Sequence, residues 1–523
     1  MRAITAFLLL VLFSPFAHAQ SQPDLWFYYP MNLLPDQNID KLEQLWRRAA
    51  AAGYSHVLLA DSKFGRLSEM PKSYFRNCER VKRIAQELHI QIVPAEFDIG
   101  YSNDLLSNDP NLAEGLPVKG TLFVVRDGQA RCEADPPIGL TKTSFVDDSV
   151  HMGVHMATIK DNPSNARFVY KLTVPQFRCY HVSVDIKTDQ YTGQPEIHPL
   201  AGKRTLCFQT LHVEPTQDWK TYDVVFDSLD NTTVNLYFGI WGEARGRLQW
   251  RNWRIEQVGL LNVLRRDGAP CTVTTEDGKP LVEGKDYDRI EDPHLGNVPW
   301  PGEYQAWHMP PAIQTRGLPD GTRLRVSWSF PPIIYDGQVS ACISEEKMDQ
   351  LLADQAKRMR DLWGADGYMM SFDEFRCCNW DESCQQRKLT PGQMLAQSLR
   401  LCTKLVQPQQ AYTWNDMFDP YHNAVEGPYY LVNGPWTGSW EGLDPGVIIL
   451  NWNHGKRDQS LKFFADRGNR QVLCGFYDND LSEWRQWLDS GKNVKGVVGY
   501  MYTTWRHDYS KLEAFAKMSR ASQ

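Results

Sequence analysis

The sequence predicts an α/β protein built as a (β/α)8 TIM barrel, interrupted after its third strand by an antiparallel β-sandwich. Three observations carry this expectation. Short apolar runs alternate with amphipathic helices in both outer parts of the chain, the pattern of a parallel sheet covered on two faces. Between residues 126 and 263 the pattern changes to period-two alternation without helices. Three apolar strands before the interruption, one at "GYMMSFDE" and four beyond it make eight, the number that closes a barrel.

The opening "MRAITAFLLLVLFSPFAHAQ" reads as a signal peptide over 1–19, cut before Gln20, so an exported, periplasmic or secreted protein is expected. Its apolar run is too short to span a bilayer, and no membrane association is expected after cleavage. The first part of the barrel follows over 20–125. "LWFYYP" leads to a helix with Leu42, Leu45, Trp46 and Ala49 on one face, closed by Gly53. "HVLLAD" and "IQIVPAEFD" are the next two strands, separated by a helix near Cys78–Leu88. The sandwich occupies 126–263, with strands such as "YHVSVDIKT" and "TVNLYFGIW". A turn-rich connector covers 264–322, and the second part of the barrel covers 323–523. "RLRVSWSF" (Arg323–Phe330) would be a ninth strand and is assigned to the connector or to a run leading into the barrel. Ser344 can cap the next helix, which Gly364 ends, and Thr390-Pro391 opens another. The last four strands are "QAYTWNDMFDP", "VIILNWNHG", "QVLCGFYDND" and "VKGVVGYMYTTW".

A net charge of -7, spread along the chain, excludes a nucleic-acid binder in which basic blocks do the work. The 11 cysteines are scattered, and the cluster Cys377, Cys378 and Cys384 is the expected place for a bridge. With no CxxC, HxH or HExxH spacing, neither a metal nor another cofactor is expected. The i,i+4 pair His151 and His155 lies in the sandwich and is not on a helix.

A TIM barrel presents its active site at the C-terminal strand ends. Those ends carry Tyr28, Tyr29, Asp61, Glu96, Asp98, Asp373, Glu374, Trp414, Asp416, Trp452, Asn453, Tyr477, Asp478, Tyr502 and Trp505. Acids and flat rings, without a metal set or a Ser–His pair, are the equipment of glycoside hydrolysis. The adjacent acids Asp373 and Glu374 are expected to be the catalytic pair. Crowding raises one of their pKa values and leaves a proton donor near neutral pH. The alternative is that Asp373 caps its loop while Glu374 pairs with Arg376. Trp414, Asp416, Trp452, Tyr477, Asp478, Tyr502, Trp505, Glu96 and Asp98 are the candidate substrate-binding residues. His422 and His454 read as loop hydrogen-bonders, and Cys377 and Cys384 as a staple of the rim loop.

The strand ending in Asp373-Glu374, "IVPAEFD" in third place and the closing "GYMYTTW" resemble the family 20 glycoside hydrolases, the β-N-acetylhexosaminidases. The resemblance implies that Glu374 is the general acid/base and that Asp373 orients a substrate acetamido group whose oxygen is the nucleophile. It also implies sugar contacts from Trp414, Trp452, Tyr502 and Trp505. Without an acetamido group a second carboxylate is needed, and Asp416, Asp478, Glu96 and Asp98 are the candidates. The inserted sandwich resembles the jelly-roll carbohydrate-binding modules of exported glycosidases. Its aromatic stretch "YFGIWGEARGRLQWRNW" suits either a sugar-binding face or a core. The expected partner is an oligo- or polysaccharide. The other class of function is a non-catalytic glycan-binding protein on a barrel scaffold, because one fold hosts many functions.

Overall fold

The computed structural model describes residues 23–521; the expected leader at 1–19 lies outside the described residues. Eight parallel strands close into a barrel: Asp24–Pro30, His56–Ala60, Gln91–Glu96, Gly367–Met370, Gln410–Trp414, Ile448–Asn451, Gln471–Phe476 and Val497–Thr503. The first strand pairs with the eighth, Leu25 opposite Tyr500, which closes the ring. The third pairs directly with the fourth, Met369 opposite Ala95, although the insertion separates them in sequence. The insertion is therefore looped out between two neighbouring staves and leaves the ring intact.

Period-two alternation sorts the strand residues into two cores. Trp26, Leu58, Val93, Ala95, Met369, Trp414, Leu450 and Met501 fill the barrel interior. Their neighbours Phe27, Leu59, Met370, Ile449 and Tyr502 pack outward against the helices. Helix Asp36–Ala51 buries Ile39, Leu42, Leu45, Trp46 and Ala49 there. Thr390 and Gln393 form a reciprocal capping box that starts helix Pro391–Val406. Ser344 does not cap its helix: Glu345 holds that position, and the Ser344 hydroxyl instead accepts from the Cys384 thiol at 3.3 Å.

Arg323–Phe330 is not a barrel strand. It runs antiparallel to Leu116–Arg126, Leu324 opposite Phe123, in a five-stranded sheet completed by Thr272–Thr275, Gln129–Cys132 and Ile313–Gln314. That sheet draws on segments from both sides of residues 126, 263 and 322. Two further five-stranded antiparallel sheets share one apolar core with it. Most of the aromatic stretch noted in the sequence faces that core: Trp250 is fully buried, and Phe238 stacks on Phe168 at 5.1 Å. Trp241 stays 38% exposed. Among the described residues no helix is long and apolar enough to cross a membrane.

One tryptophan ties the seventh strand to the last helix. Trp484 is fully buried, stacks on Phe515 at 4.2 Å and donates its indole N–H to Ser519 at 3.0 Å. Trp484→Ala should cost about 3–5 kcal/mol in denaturant unfolding, as large aromatic truncations in a core do. A loss below about 0.5 kcal/mol, the range of ordinary surface changes, would contradict this packing.

Candidate active site

The C-terminal mouth of the barrel holds a cavity of about 810 Å³, lined among others by Tyr28, Asp98, Tyr101, Asp373, Glu374, Trp414, Trp452 and Trp505. The aromatic wall is built from four strand ends. Trp414 and Trp452 each lie about 6 Å from Trp505, at 5.9 and 6.0 Å between ring centres. Tyr28 closes the group, 5.9 Å from Trp414 and 5.5 Å from Trp505. The contacts among these rings are edge-on or tilted.

Asp373 and Glu374 both reach this cavity, which straight strand alternation would forbid. The fourth strand ends at Met370, and Glu374 adopts a left-handed backbone with φ 47°. Asp416 holds the bend, accepting the Glu374 backbone N–H at 3.0 Å and the Asn423 amide at 3.0 Å. Gln338 bonds from the other side, donating to the Gly100 and Glu374 carbonyls, each at 3.0 Å. Gly100 is required there, because a Cβ at that position would collide with the Asp373 carbonyl oxygen.

The electrostatics are one-sided. Burial, then the charges of Asp416, Glu374 and Asp98, push the Asp373 carboxyl well above the usual range. Burial lifts Asp416 to about 7, against the opposing Glu374 N–H, and lifts Asp98 to about 6. The compensating cation is Arg376. Its guanidinium pairs with Glu374 at 2.6 Å, donates to the Tyr101 hydroxyl at 2.9 Å and to Gln338, and lies 5.0–5.6 Å from the rings of Tyr101, Tyr335 and Tyr430. The Tyr101 hydroxyl in turn donates to Glu374.

Of the residues expected from sequence, Asp373, Glu374, Asp98, Trp414, Trp452 and Trp505 line the cavity. Tyr28 and Asp61, also strand ends, line it too, and the other candidate substrate-binding residues lie elsewhere. Glu96 alternates with inward Ala95, so it is buried among the helices, where burial lifts it to about 8 despite Arg360. Tyr502 alternates with inward Met501, stacks on Phe476 and donates to the Asp508 carbonyl at 2.6 Å. The Tyr477 hydroxyl donates to the Cys474 carbonyl. Asp416 is fully buried behind the pair. Asp478 accepts the backbone N–H groups of Trp505 at 2.8 Å and Arg506 at 3.1 Å, and so positions the loop bearing Trp505. His422 packs edge-on against Trp452 at 4.5 Å. Sequence reasoning missed Tyr101 and Gln338, which lie in loops without any local signal. Tyr28, noted as a strand end, was the fourth ring of the wall.

No protein-family model and no curated protein matches the chain. Solved structures do. A β-N-acetylhexosaminidase aligns over 95% of this chain and 71% of its own, at 8% identity and a TM-score of 0.42. A rhamnosidase from Novosphingobium sp. PP1Y aligns over 96% of this chain at 10% identity and a TM-score of 0.33, and this chain spans 59% of it. A CBM4 structure aligns over 28% of this chain and 98% of its own, at 15% identity and a TM-score of 0.17.

The raised carboxyls have a measurable consequence for stability. An acid whose folded pKa exceeds its unfolded value stabilises fully below the unfolded value, and that contribution is lost as pH rises through the folded one. Relative to Asp416→Asn, the wild type should therefore lose stability as pH climbs from about 4, the unfolded carboxylate range, through about 7. Denaturant unfolding of both proteins across that range measures the difference. A gap that stays constant or moves the other way would contradict the burial of Asp416.

Proposed function

We propose that this protein is an exported glycoside hydrolase that cleaves N-acetylhexosaminides of a glycan through Asp373 and Glu374. The observation that carries the reading is that both carboxyls line one cavity together with three tryptophans and a tyrosine. Flat rings stack on sugar faces and enclose a small apolar N-acyl methyl group. Among the described residues that line the cavity none is Lys or Arg, which disfavours uronates and other anionic sugars. The leader-like segment at 1–19 supports export.

The pair, more than either residue, is the acid of this mechanism. Glu374 faces Arg376, while burial and the neighbouring acidic groups keep a proton on Asp373. The substrate's acyl oxygen attacks the anomeric carbon as the bond to the leaving oxygen breaks. The proton held on Asp373 passes to Glu374, which gives it to the leaving oxygen. Water then adds to the anomeric carbon and breaks its bond to the acyl oxygen, its proton returning through Glu374 to Asp373. Glu374 is assigned as acid/base, and Asp373, once its proton has passed to Glu374, as the carboxylate that accepts the acyl amide N–H and so orients it. Trp414, Trp452 and Trp505 enclose the acyl group.

A panel of chromogenic glycosides tests this. N-acetyl-β-hexosaminides should be turned over and their unacylated counterparts should not. Glu374→Gln should lose at least about 100-fold in kcat/KM, the lower end of what a general acid contributes. Activity should fall as pH rises through the raised pKa of Asp373, and Asp373→Asn should abolish that alkaline limb along with most of the rate. Full activity in Glu374→Gln would remove the site assignment. The contact of Glu374 with Arg376 and Tyr101 favours one other reading, a glycan-binding barrel without catalysis. It requires that no glycoside be turned over while oligosaccharide still quenches the fluorescence of the three tryptophans.

A further inference from the structure

We propose that Glu114, Cys342, Asp381 and Cys384 form a buried site for one divalent, thiophilic cation of the zinc class. One ligand atom from each lies within 4.8 Å of all the others, and all four residues are buried. The spacing is that of a tetrahedral set. Two sulfurs bound at about 2.3 Å to one zinc stand roughly 3.8 Å apart, and Cys342 and Cys384 have their sulfurs at 3.7 Å. The Cys384 sulfur lies 3.4 Å from a Glu114 carboxylate oxygen, close to the roughly 3.5 Å expected of an oxygen bound at about 2.0 Å to the same ion.

Charge points the same way. Arg266 pairs with Asp381 and with Glu345 at 3.1 Å. Glu114, buried beside Asp381 and Arg266, adds a third carboxyl to this cluster, and a bound divalent cation would offset the carboxylates it binds. The remaining carboxylate atoms have partners that orient them: the Trp380 N–H donates to Glu114 at 2.9 Å and the Cys384 N–H to Asp381 at 2.9 Å. Ligands held by such outer partners are the mark of a built metal site. No motif spacing announces it, because Glu114, Cys342 and Asp381 come from three separate segments.

The place in the fold gives the ion a task. Glu114 lies just before the first strand of the insertion, and Cys342 just after the chain returns from it. The adjoining residues Ala113 and Ala341 form a β-bridge. Beyond Asp373-Glu374, Asp381 caps the short helix Glu382–Gln386, which carries Cys384. The ion would clamp both necks of the insertion to that helix and its cap. A closed four-ligand site is structural and has no open position for substrate. This inference does not depend on the reaction proposed above.

The test uses the full chain, purified without chelator or reductant. Elemental analysis should find about one zinc-class ion per chain. Exchange with Co2+ should give the strong visible bands of a tetrahedral site and a near-ultraviolet sulfur-to-cobalt band. Both should vanish in Cys384→Ser. Chelator should lower the Tm of the wild type and leave that of the variant unchanged. Should Cys384→Ser fail to fold, Glu114→Gln keeps the shape and should weaken Co2+ binding at least about tenfold, the cost of losing even an outer partner. The proposal is overturned if the wild type takes up neither Zn2+ nor Co2+. It is equally overturned if non-reducing peptide mapping recovers a Cys342–Cys384 disulfide.

Discussion

The arrangement depends on one bend in the backbone. A strand delivers successive side chains to opposite faces, so an Asp-Glu pair can serve one cavity only where the strand has ended. Here the chain leaves the fourth barrel strand at Met370 and turns left-handed at Glu374. Such a conformation costs a non-glycine residue on the order of 1–3 kcal/mol and persists only when its surroundings over-determine it. Those surroundings are Asp416 below, Gln338 beside and Gly100 against the Asp373 carbonyl. Gln338 belongs to the segment returning from the insertion, so the inserted sheets and the active-site loop are mechanically joined.

Crowding follows from that bend. Asp98, Asp373, Glu374 and Asp416 share one neighbourhood, and each extra negative charge raises the cost of ionising the next. Arg376 relieves only the outermost of them. It is 5% exposed, and three tyrosine rings around it shield it from water. The inner carboxyls keep their protons to higher pH than exposed ones do. The barrel interior directly below them is largely apolar, with Leu58, Val93, Met369 and Met501 among its residues.

The sequence made the barrel legible because its strands are apolar on both faces, and that signal survives without relatives. The eighth strand was identifiable only after Arg323–Phe330 had been excluded, and its pairing with Leu116–Arg126 is a long-range fact that no local pattern carries. The acid pair and the three tryptophans were visible as strand ends. Glu96 and Tyr502 were placed at the mouth by proximity to an end, whereas their alternation with Ala95 and Met501 sends them outward. Asp478 was legible as an acid but not as the anchor of the Trp505 loop. Tyr101 in "IGYSN" and Cys342 carry no local signal, since their partners lie far away in sequence.

The central claim is that Asp373 retains a proton inside a shared cavity while Glu374 beside it faces Arg376. Carbon NMR of protein labelled at the aspartate carboxyls measures this directly. The account requires one resonance, absent from Asp373→Asn, that titrates far above the about 3.9 of a free aspartate. If that resonance instead titrates at the free value, Asp373 faces water, and the shared acid pair does not exist.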